Sequence, residues 1–228
     1  MTGPPAGVGE AGPQQSLSWY DRIARLYDIA TLGDRFYADM RRQAVASLDL
    51  APGDAVVDLF CGTGVDLPLL GAALKGQGRI VAVDGSAAML KRAELRAPRL
   101  PDGVEVAPVR LDLATPAGRR ALSARIETAH PSGILFPLGL SVIESWRALF
   151  VAAFEAAPPG CRFAILDDHA LRDTLGKRLV DWIGAADISR PVWQELEARA
   201  EGFARRSQRL LPCSSVEVFV ATGTKPRA

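Results

Sequence analysis

Short apolar runs alternate with longer amphipathic segments along most of the chain. The runs are rich in β-branched residues, as buried strands are. They predict strands at Ala55–Phe60, Arg79–Val83, Val104–Arg110, Gly133–Pro137 and Arg162–Leu166. Apolar residues at three- and four-residue spacing predict helices at Val65–Leu74, Ala87–Ala97, Ala117–Thr128, Glu144–Ala157 and Ala170–Ile183. Strictly alternating strands and helices indicate right-handed βαβ units, so we predict an α/β fold with a doubly wound, mostly parallel sheet.

The two ends of the chain depart from this alternation. After a predicted helix at Val192–Arg205, the segments "QRLLP" and "VEVFVATGT" are joined by "CSS", a pattern typical of a hairpin. Residues 1–15 are mostly Gly, Pro and Ala and predict a disordered lead. From residue 16 a helical spacing returns, and a second helix is predicted at Arg35–Leu48. We therefore predict one domain over 16–228, with an N-terminal helical cap over about 16–50.

Composition excludes several classes of function. Lysine and arginine number 27 against 26 acidic residues, a net charge of +1, which does not favour nucleic acid as a partner. Three scattered cysteines and two histidines argue against a disulfide framework and against a metal site, and indicate a reducing compartment. The longest apolar run, Gly133–Ile143, is too short to span a bilayer. We expect a cytoplasmic protein with at most peripheral membrane contact; the sequence predicts no oligomeric state.

The stretch "VVDLFCGTGVD" predicts a ligand-binding turn after the first strand. In an open parallel sheet the ligand lies beyond the carboxyl ends of the strands, next to a helix N-terminus. Gly62 and Gly64 allow positive φ and a close approach of ligand to backbone. The third glycine of the dinucleotide fingerprint is replaced by Leu67, and Asp58 precedes the turn, which disfavours a pyrophosphate and suits an ammonium group. A tight turn with no ligand is the alternative.

Acidic residues also end the next two strands. Asp84 lies about twenty residues beyond the glycines, where an acid can accept hydrogen bonds from ribose hydroxyls. Asp112 follows the third strand and can accept from the amine of an adenine. Three acids at successive strand ends describe a nucleoside with an amine at one end, which is S-adenosylmethionine. The alternatives are a helix cap for Asp84, shared with Ser86, and a turn-forming role for Asp112.

These motifs resemble those of the class I S-adenosylmethionine-dependent methyltransferases. "VVDLFCGTGVD", "VAVDGSAAML" and "VRLDLA" look like the first three cofactor motifs of that family, in order, and the hairpin tail is similar to its reversed last strand. "YDRIARLYD" and "GLSVIESWRALF" resemble the branch with quinone C-methyltransferases and N-methyltransferases of phospholipid or betaine-lipid head groups. The resemblance covers about residues 16–224. It implies a seven-stranded Rossmann-like sheet with N-terminal helices and S-adenosyl-L-methionine as cofactor.

Site residues follow from the resemblance position by position. The methionine moiety, the ribose and the adenine would be bound by Tyr20, Asp58, Gly62, Gly64, Asp84, Gly85, Met89, Asp112 and Leu113. Phe60 departs from the family, whose turn has its first glycine there. Ser132 and "PLGL" depart again, because relatives often have Asp at the start of the fourth strand and a polar residue after it. The substrate side is therefore expected to be apolar, lined by Tyr27, Pro137, Leu138, Leu140 and Trp146.

Proton transfer, where the acceptor needs it, is assigned to His169 and Asp168 of the "DDH" segment after the fifth strand. A capping or surface role is the alternative for this segment, and core packing is the alternative for Tyr20 and Tyr27. No metal is expected.

The predicted activity is methyl transfer to a small, rather hydrophobic acceptor, with an amine nitrogen as in a lipid head group first. Carbon or oxygen of a quinone, phenol or secondary metabolite is the second possibility. A nicotinamide-dependent oxidoreductase is disfavoured by Leu67 and by the absence of a Tyr-x-x-x-Lys pair. A non-catalytic domain that binds S-adenosylmethionine is the third alternative.

Overall fold

The structure, a computed structural model, describes residues 37–172, 174, 177, 181, 186–209 and 215–227. Tyr20, Tyr27, the predicted lead and the first predicted helix lie outside the described residues. So does most of the predicted helix Ala170–Ile183. Among the described residues no helix has the length and apolar character needed to cross a membrane.

Seven strands form one sheet in the order β3-β2-β1-β4-β5-β7-β6. They are β1 Ala55–Leu59, β2 Gly78–Asp84, β3 Val104–Arg110, β4 Gly133–Pro137, β5 Arg162–Ala170, β6 Glu201–Arg209 and β7 Val216–Thr224. Strands β1 to β5 pair in parallel, and β7 runs antiparallel to both β5 and β6. The predicted doubly wound sheet with a reversed last strand is confirmed.

Helices cover both faces of this sheet. The described ones are α1 Ala38–Ser47, α2 Leu67–Ala73, α3 Ala87–Arg96, α4 Pro116–Ala129, α5 Trp146–Ala156 and α6 Gln194–Arg199. Apolar residues of α1, α2 and α3 pack with one face of the sheet, and those of α4, α5 and α6 pack with the other. Strands β1 and β4 are buried almost throughout, as expected of central parallel strands covered on both sides.

Local sequence signals explain where two of the helices begin. The Ser86 hydroxyl accepts a hydrogen bond from the Met89 amide at 3.1 Å and caps α3. The Thr115 hydroxyl caps α4 in the same way through Gly118, with Pro116 in the first turn. Such caps satisfy amides that the helix leaves without partners. They fix the points at which the chain enters α3 and α4 after the carboxyl ends of β2 and β3.

Two sequence predictions are wrong at the C-terminal end. The helix predicted at Val192–Arg205 is only α6, because the chain becomes strand β6 at Glu201 and pairs with β7. Strand β5 does not stop at Leu166; antiparallel pairing with β7 extends it to Ala170. The "DDH" segment therefore lies inside a strand rather than after it. Non-local pairing with β7 overrode the local helical pattern in the first case.

Candidate functional site

A cavity opens at the carboxyl ends of β1, β2, β3 and β4. Its empty volume is about 870 Å³, part of which is open to solvent. It is lined by Arg41, Phe60, Cys61, Gly62, Thr63, Val65, Asp66, Asp84, Gly85, Met89, Leu111, Asp112, Leu113, Ala114, Pro137, Leu138, Gly139, Val142 and Ile143. This is the edge at which open α/β sheets bind their ligands.

The turn between β1 and α2 forms the floor of the cavity. Three of its residues have positive φ: Phe60 at 62°, Gly62 at 52° and Gly64 at 79°. A Cβ on Gly64 would lie 2.7 Å from a side-chain atom of Leu67 and 2.9 Å from the Cα of Ala93. Gly64 is thus required for the packing of α2 against α3, and it does not itself line the cavity.

Asp84 joins the end of β2 to this turn. Its two carboxylate oxygens accept hydrogen bonds from the amides of Gly62, at 2.9 Å, and Ser86, at 2.8 Å. The cap of α3 is the Ser86 hydroxyl, so helix capping does not explain the carboxylate of Asp84. Each carboxylate oxygen has a second lone pair, and the residue lines the cavity, so Asp84 can accept further hydrogen bonds from a ligand.

The third strand end supplies an apolar wall and one more acid. Leu113 and Met89 line the cavity and are almost fully buried. Asp112 also lines it, and its Oδ1 accepts from the Ala114 amide at 3.1 Å. Asp112 therefore forms a turn, as the sequence alternative held, and faces the cavity as well.

Asp58 lies beneath the turn rather than in the cavity wall. Its side chain is fully buried, and neither carboxylate oxygen has a hydrogen-bond partner among the described residues. Burial, and then the neighbouring carboxylate of Asp66, raise the pKa of Asp58 well above its ordinary value; the Arg41 guanidinium opposes them. The raised pKa favours the neutral form of Asp58, and a cation close to the side chain would favour its ionisation.

Arg41 and Asp66 form an ion pair at the cavity, and neither was predicted as a site residue. Arg41 reaches it from α1, and Nη1 contacts Oδ2 of Asp66. The side chains are only 11% and 3% exposed, so both charges are largely removed from water. Oδ1 of Asp66 has no hydrogen-bond partner among the described residues. Asp66 stood at the end of the "VVDLFCGTGVD" motif, whereas no local pattern marked Arg41.

The loop between β4 and α5 forms the opposite wall. Pro137 and Leu138 line the cavity as predicted, together with Gly139, Val142 and Ile143. Asp167 of β5 holds this loop, because its carboxylate accepts from the Ser141 amide at 3.1 Å and from the Ser141 hydroxyl at 2.7 Å. Burial raises the pKa of Asp167 to about 6, although these hydrogen bonds act in the opposite direction.

Two residues assigned to the substrate pocket lie elsewhere. Leu140 and Trp146 are 0% and 2% exposed and belong to the core cluster between the sheet and helices α4 to α6. The reason is geometric: the loop turns after Gly139, so Leu140 points under the cavity wall, and Trp146 begins α5 on its packed face. The apolar character predicted for this side comes instead from Val142 and Ile143.

The structure does not bring His169 and Asp168 to the cavity. Their side chains alternate across strand β5. Asp168 accepts a hydrogen bond from the Tyr37 hydroxyl at 3.0 Å, and burial, then the charge of Asp167, raise its pKa to about 7. His169 lies on the other face, with Nδ1 3.5 Å from the Glu217 carboxylate and its ring 4.7 Å from that of Trp193. Burial lowers the pKa of His169. The geometry gives no support to their predicted catalytic role.

Four features of the cavity fit the predicted cofactor. Asp84 presents a carboxylate where ribose hydroxyls are expected, and Gly62 leaves the backbone approachable. Met89 and Leu113 supply an apolar surface for a purine. Asp66 offers a carboxylate oxygen that no described residue hydrogen-bonds, suited to an ammonium group, at the β1 turn.

The chain is similar in sequence to quinone methyltransferases. No family model matches it. It is 27% identical to 2-phytyl-1,4-naphtoquinone methyltransferase of Synechococcus elongatus over 203 residues, which is 84% of this chain and 83% of that protein. It is 37% identical to demethylmenaquinone methyltransferase of a Mycobacterium species over 92 residues, which is 38% of this chain and 37% of that protein.

A third relative, an uncharacterized 37.1 kDa protein of a Streptomyces fradiae transposon, is 34% identical over 99 residues, which is 43% of this chain. The chain spans only 26% of the length of that protein. The aligned share of the relatives thus ranges from about a quarter of their length to most of it.

Solved structures share the fold over nearly the whole chain. Geranyl diphosphate C-methyltransferase from Streptomyces coelicolor, in complex with Mg²⁺, geranyl-S-thiolodiphosphate and S-adenosyl-L-homocysteine, superposes with a TM-score of 0.69. The comparison covers 97% of this chain and 100% of that one, at 15% identity. The cyclase SpnF gives a TM-score of 0.70 at 14% identity, covering 98% and 100%. At these identities the similarity shows a common fold.

Proposed function

We propose that this chain, a class I S-adenosylmethionine-dependent methyltransferase, methylates a small, hydrophobic acceptor whose nucleophilic atom belongs to a planar ring. The observation that supports this most is the apolar wall that faces the cofactor turn across the cavity. Leu138, Val142 and Ile143 of that wall are without charge, and Phe60 extends it from the β1 turn. Two relatives are named for methylation of quinones, which are rings of this kind.

Bound S-adenosylmethionine supplies a methyl group already activated by the positive charge on sulfur. The chain's residues would hold it through Asp84, Gly62 and the apolar side chains Met89 and Leu113. Asp66, which lines the cavity, would favour its ammonium group electrostatically. The remaining task of the protein is to orient the acceptor and exclude water, and positioning of this kind can contribute about 7–11 kcal/mol to rate acceleration.

A ring carbon beside a phenolate oxygen is nucleophilic once the hydroxyl has lost its proton. A phenol, with a pKa of about 10 in water, must first give up that proton, to water or to a carboxylate that lines the cavity, because His169 and Asp168 lie elsewhere. After the new carbon–carbon bond forms and the carbon–sulfur bond breaks, the ring carbon gives its proton to water and the ring becomes aromatic again. We place a ring carbon before the amine nitrogen, which was predicted first, because the wall is apolar and two relatives are named for methylation of quinones.

An amine nitrogen, as in a lipid head group, remains the second candidate because of Asp66. An alkyl ammonium, with a pKa near 10.4 in water, must lose a proton before it can accept a methyl group. Oδ1 of Asp66, which has no hydrogen-bond partner among the described residues, is a carboxylate oxygen at the cavity that could take it. A cytoplasmic location and peripheral membrane contact remain predictions, and liposome co-sedimentation of the full chain tests the second of them.

The experiment is a methyl-transfer assay with methyl-labelled S-adenosylmethionine. Under reducing, oxygen-free conditions, 2-methyl-1,4-naphthohydroquinone, a phenol panel and a primary-amine panel are compared as acceptors. Val142→Asp places a charge on the apolar wall and is expected to lower kcat/KM for the hydroquinone by at least tenfold. Leu95→Asp, at a residue 68% exposed on α3, is the control and should have no effect. Methylation of amines alone would reject the ring acceptor, and no methylation of any class would reject the proposed function.

A further inference from the structure

Phe60 occupies a backbone conformation that suits glycine. Its φ is 62°, in the left-handed region, where a residue with a Cβ is unfavourable. The family that the motif resembles has a glycine at this point of the turn. Strained residues persist where the surrounding structure maintains them, and they cluster at functional sites. A phenylalanine in this conformation therefore indicates a role for its aromatic ring.

The ring fits against Gly139 on the opposite wall. A Cβ on Gly139 would lie 2.1 Å from Cγ and 2.2 Å from Cδ2 of Phe60, so the ring occupies the space that any other residue at 139 would need. Leu138, the neighbour of Gly139, also has a positive φ, of 54°. The two walls thus depart from ordinary backbone geometry at the same contact. Both Phe60 and Gly139 line the cavity.

The strand order shows which part of the cavity the ring borders. Strand β1 lies between β2 and β4. The residues that fit the nucleoside, Asp84 and Met89, come from the β2 side of β1. Gly139 follows β4, so the ring leans away from the nucleoside side and toward the wall of Leu138 and Val142.

We propose that Phe60 is an acceptor-positioning residue whose ring, seated on Gly139, forms the surface on which a planar acceptor lies. The inference rests on the proposed function and names the substrate class of that site more narrowly. Aromatic rings pack in offset-stacked or edge-to-face arrangements with centroids about 4.5–7 Å apart, so one ring fixes the orientation of another. A glycine at position 60 would leave this surface absent, and the cavity would accept acceptors of other shapes.

The test is equilibrium binding by the full chain of two probes, measured separately. The acceptor probe is 2,3-dimethyl-1,4-naphthoquinone, which has both ring positions methylated and so cannot react further. The cofactor probe is S-adenosylhomocysteine. Phe60→Ala is expected to raise the Kd for the naphthoquinone at least tenfold and to leave the Kd for S-adenosylhomocysteine within threefold. Phe60→Tyr, which retains the ring, should leave both values within about threefold.

Thermal unfolding separates ring loss from backbone strain. Phe60→Gly and Phe60→Ala both remove the ring, but only glycine adopts the left-handed conformation without cost. Phe60→Gly should therefore melt about 2–4 °C above Phe60→Ala. Phe60→Leu, which keeps an apolar side chain, provides a folded variant without a ring if Phe60→Ala is too unstable to titrate.

Each other outcome decides against the proposal. If Phe60→Ala or Phe60→Leu weakens S-adenosylhomocysteine binding and spares the naphthoquinone, the ring belongs to the cofactor subsite. If neither Kd changes, the ring is only packing. If the wild-type chain transfers methyl groups to amines but does not bind the naphthoquinone, the ring acceptor and this inference both fail while the methyltransferase assignment remains.

Discussion

The two sides of the cavity differ in the range of the contacts described for them: those on the cofactor side span at most 25 residues of the chain, and those on the acceptor side span 26 and 49. On the cofactor side, Asp84 accepts from the amides of Gly62 and Ser86, which are 22 and 2 residues away. On the acceptor side, Ser141 is held by Asp167, 26 residues away, and by Arg190, 49 residues away, whose guanidinium donates to the Ser141 carbonyl at 2.9 Å. We expect the cofactor to be bound mainly by short motifs, and the loop on the acceptor side is held by the longer-range contacts.

We expect the largest effect from a substitution at Gly64, in the turn on the cofactor side. Gly64→Ala combines an unfavourable positive φ with overlap against Leu67 and Ala93, and we expect a loss of about 2–5 kcal/mol in the free energy of unfolding. Gly53→Ala is the matched control, because φ is 90° but nothing lies within 4 Å of the added Cβ. Gly53→Ala should lower the free energy of unfolding only through the unfavourable positive φ, by about 1–2 kcal/mol. Equal losses in urea unfolding would show that α2 and α3 are not closely packed at Gly64.

A smaller effect concerns the pH dependence of stability at β5. Because burial raises the pKa of Asp168 from 3.8 to about 7, the folded state holds a proton that the unfolded state has lost between these values. The stabilisation of the folded state that Asp168 contributes is complete below pH 3.8, decreases as pH rises, and is lost above about pH 7. Asp168→Asn keeps an oxygen for the Tyr37 hydroxyl and removes the titration. The free energy of unfolding of the wild type minus that of Asp168→Asn should fall between these two pH values, by about 4 kcal/mol at most.

Asp187→Asn is the control of opposite sign. Burial raises the pKa of Asp187, but hydrogen bonds from Ser189 outweigh it and the pKa is lowered. Its contribution is therefore present above pH 3.8 and lost as pH falls below that value. Parallel stability curves for the wild type and Asp168→Asn from pH 4 to pH 8 would contradict the burial of an ionisable Asp168.

We expect the smallest effect from Ser141→Ala, which tests whether the two sides of the cavity are independent. Ser141→Ala removes one hydrogen bond to the buried Asp167 carboxylate and should cost about 1–2 kcal/mol of stability. The acceptor loop loosens, so KM for the acceptor should rise while the affinity for S-adenosylhomocysteine stays unchanged. Ser123→Ala, which removes a hydroxyl that bonds backbone carbonyls of α4 and α5, is the control and should leave both unchanged. A parallel loss of cofactor affinity would mean that the two sides are not independent.

The same difference in range explains what the sequence could predict. The parallel strands, Asp84, Gly62 and Asp112 followed from apolar runs and from residue types at strand ends, and Met89 followed from the family resemblance. Arg41 was missed because it approaches the cavity from a helix whose packing no local pattern records.

The errors on the acceptor side have physical causes of the same kind. His169 was misplaced because β7 extends β5 by four residues beyond the predicted end, which turns its side chain to the far face. Leu140 and Trp146 were apolar and near the site in sequence, but burial in the core excluded them from the cavity. Phe60 was recognised as a departure, and its contact with Gly139 needed the structure to be seen.

The most direct test of the account is calorimetric titration of S-adenosylhomocysteine into the full chain, with NADH as the control ligand. We expect micromolar binding to the wild type, no binding of NADH, and at least a thirtyfold weaker interaction with Asp84→Ala, since hydrogen bonds to a charged group are each worth about 1.5–3 kcal/mol. Asp84→Asn, which keeps one oxygen for a backbone amide, should fall between them. No binding to the wild type, or binding that is indifferent to Asp84, would contradict a cofactor site at this edge of the sheet.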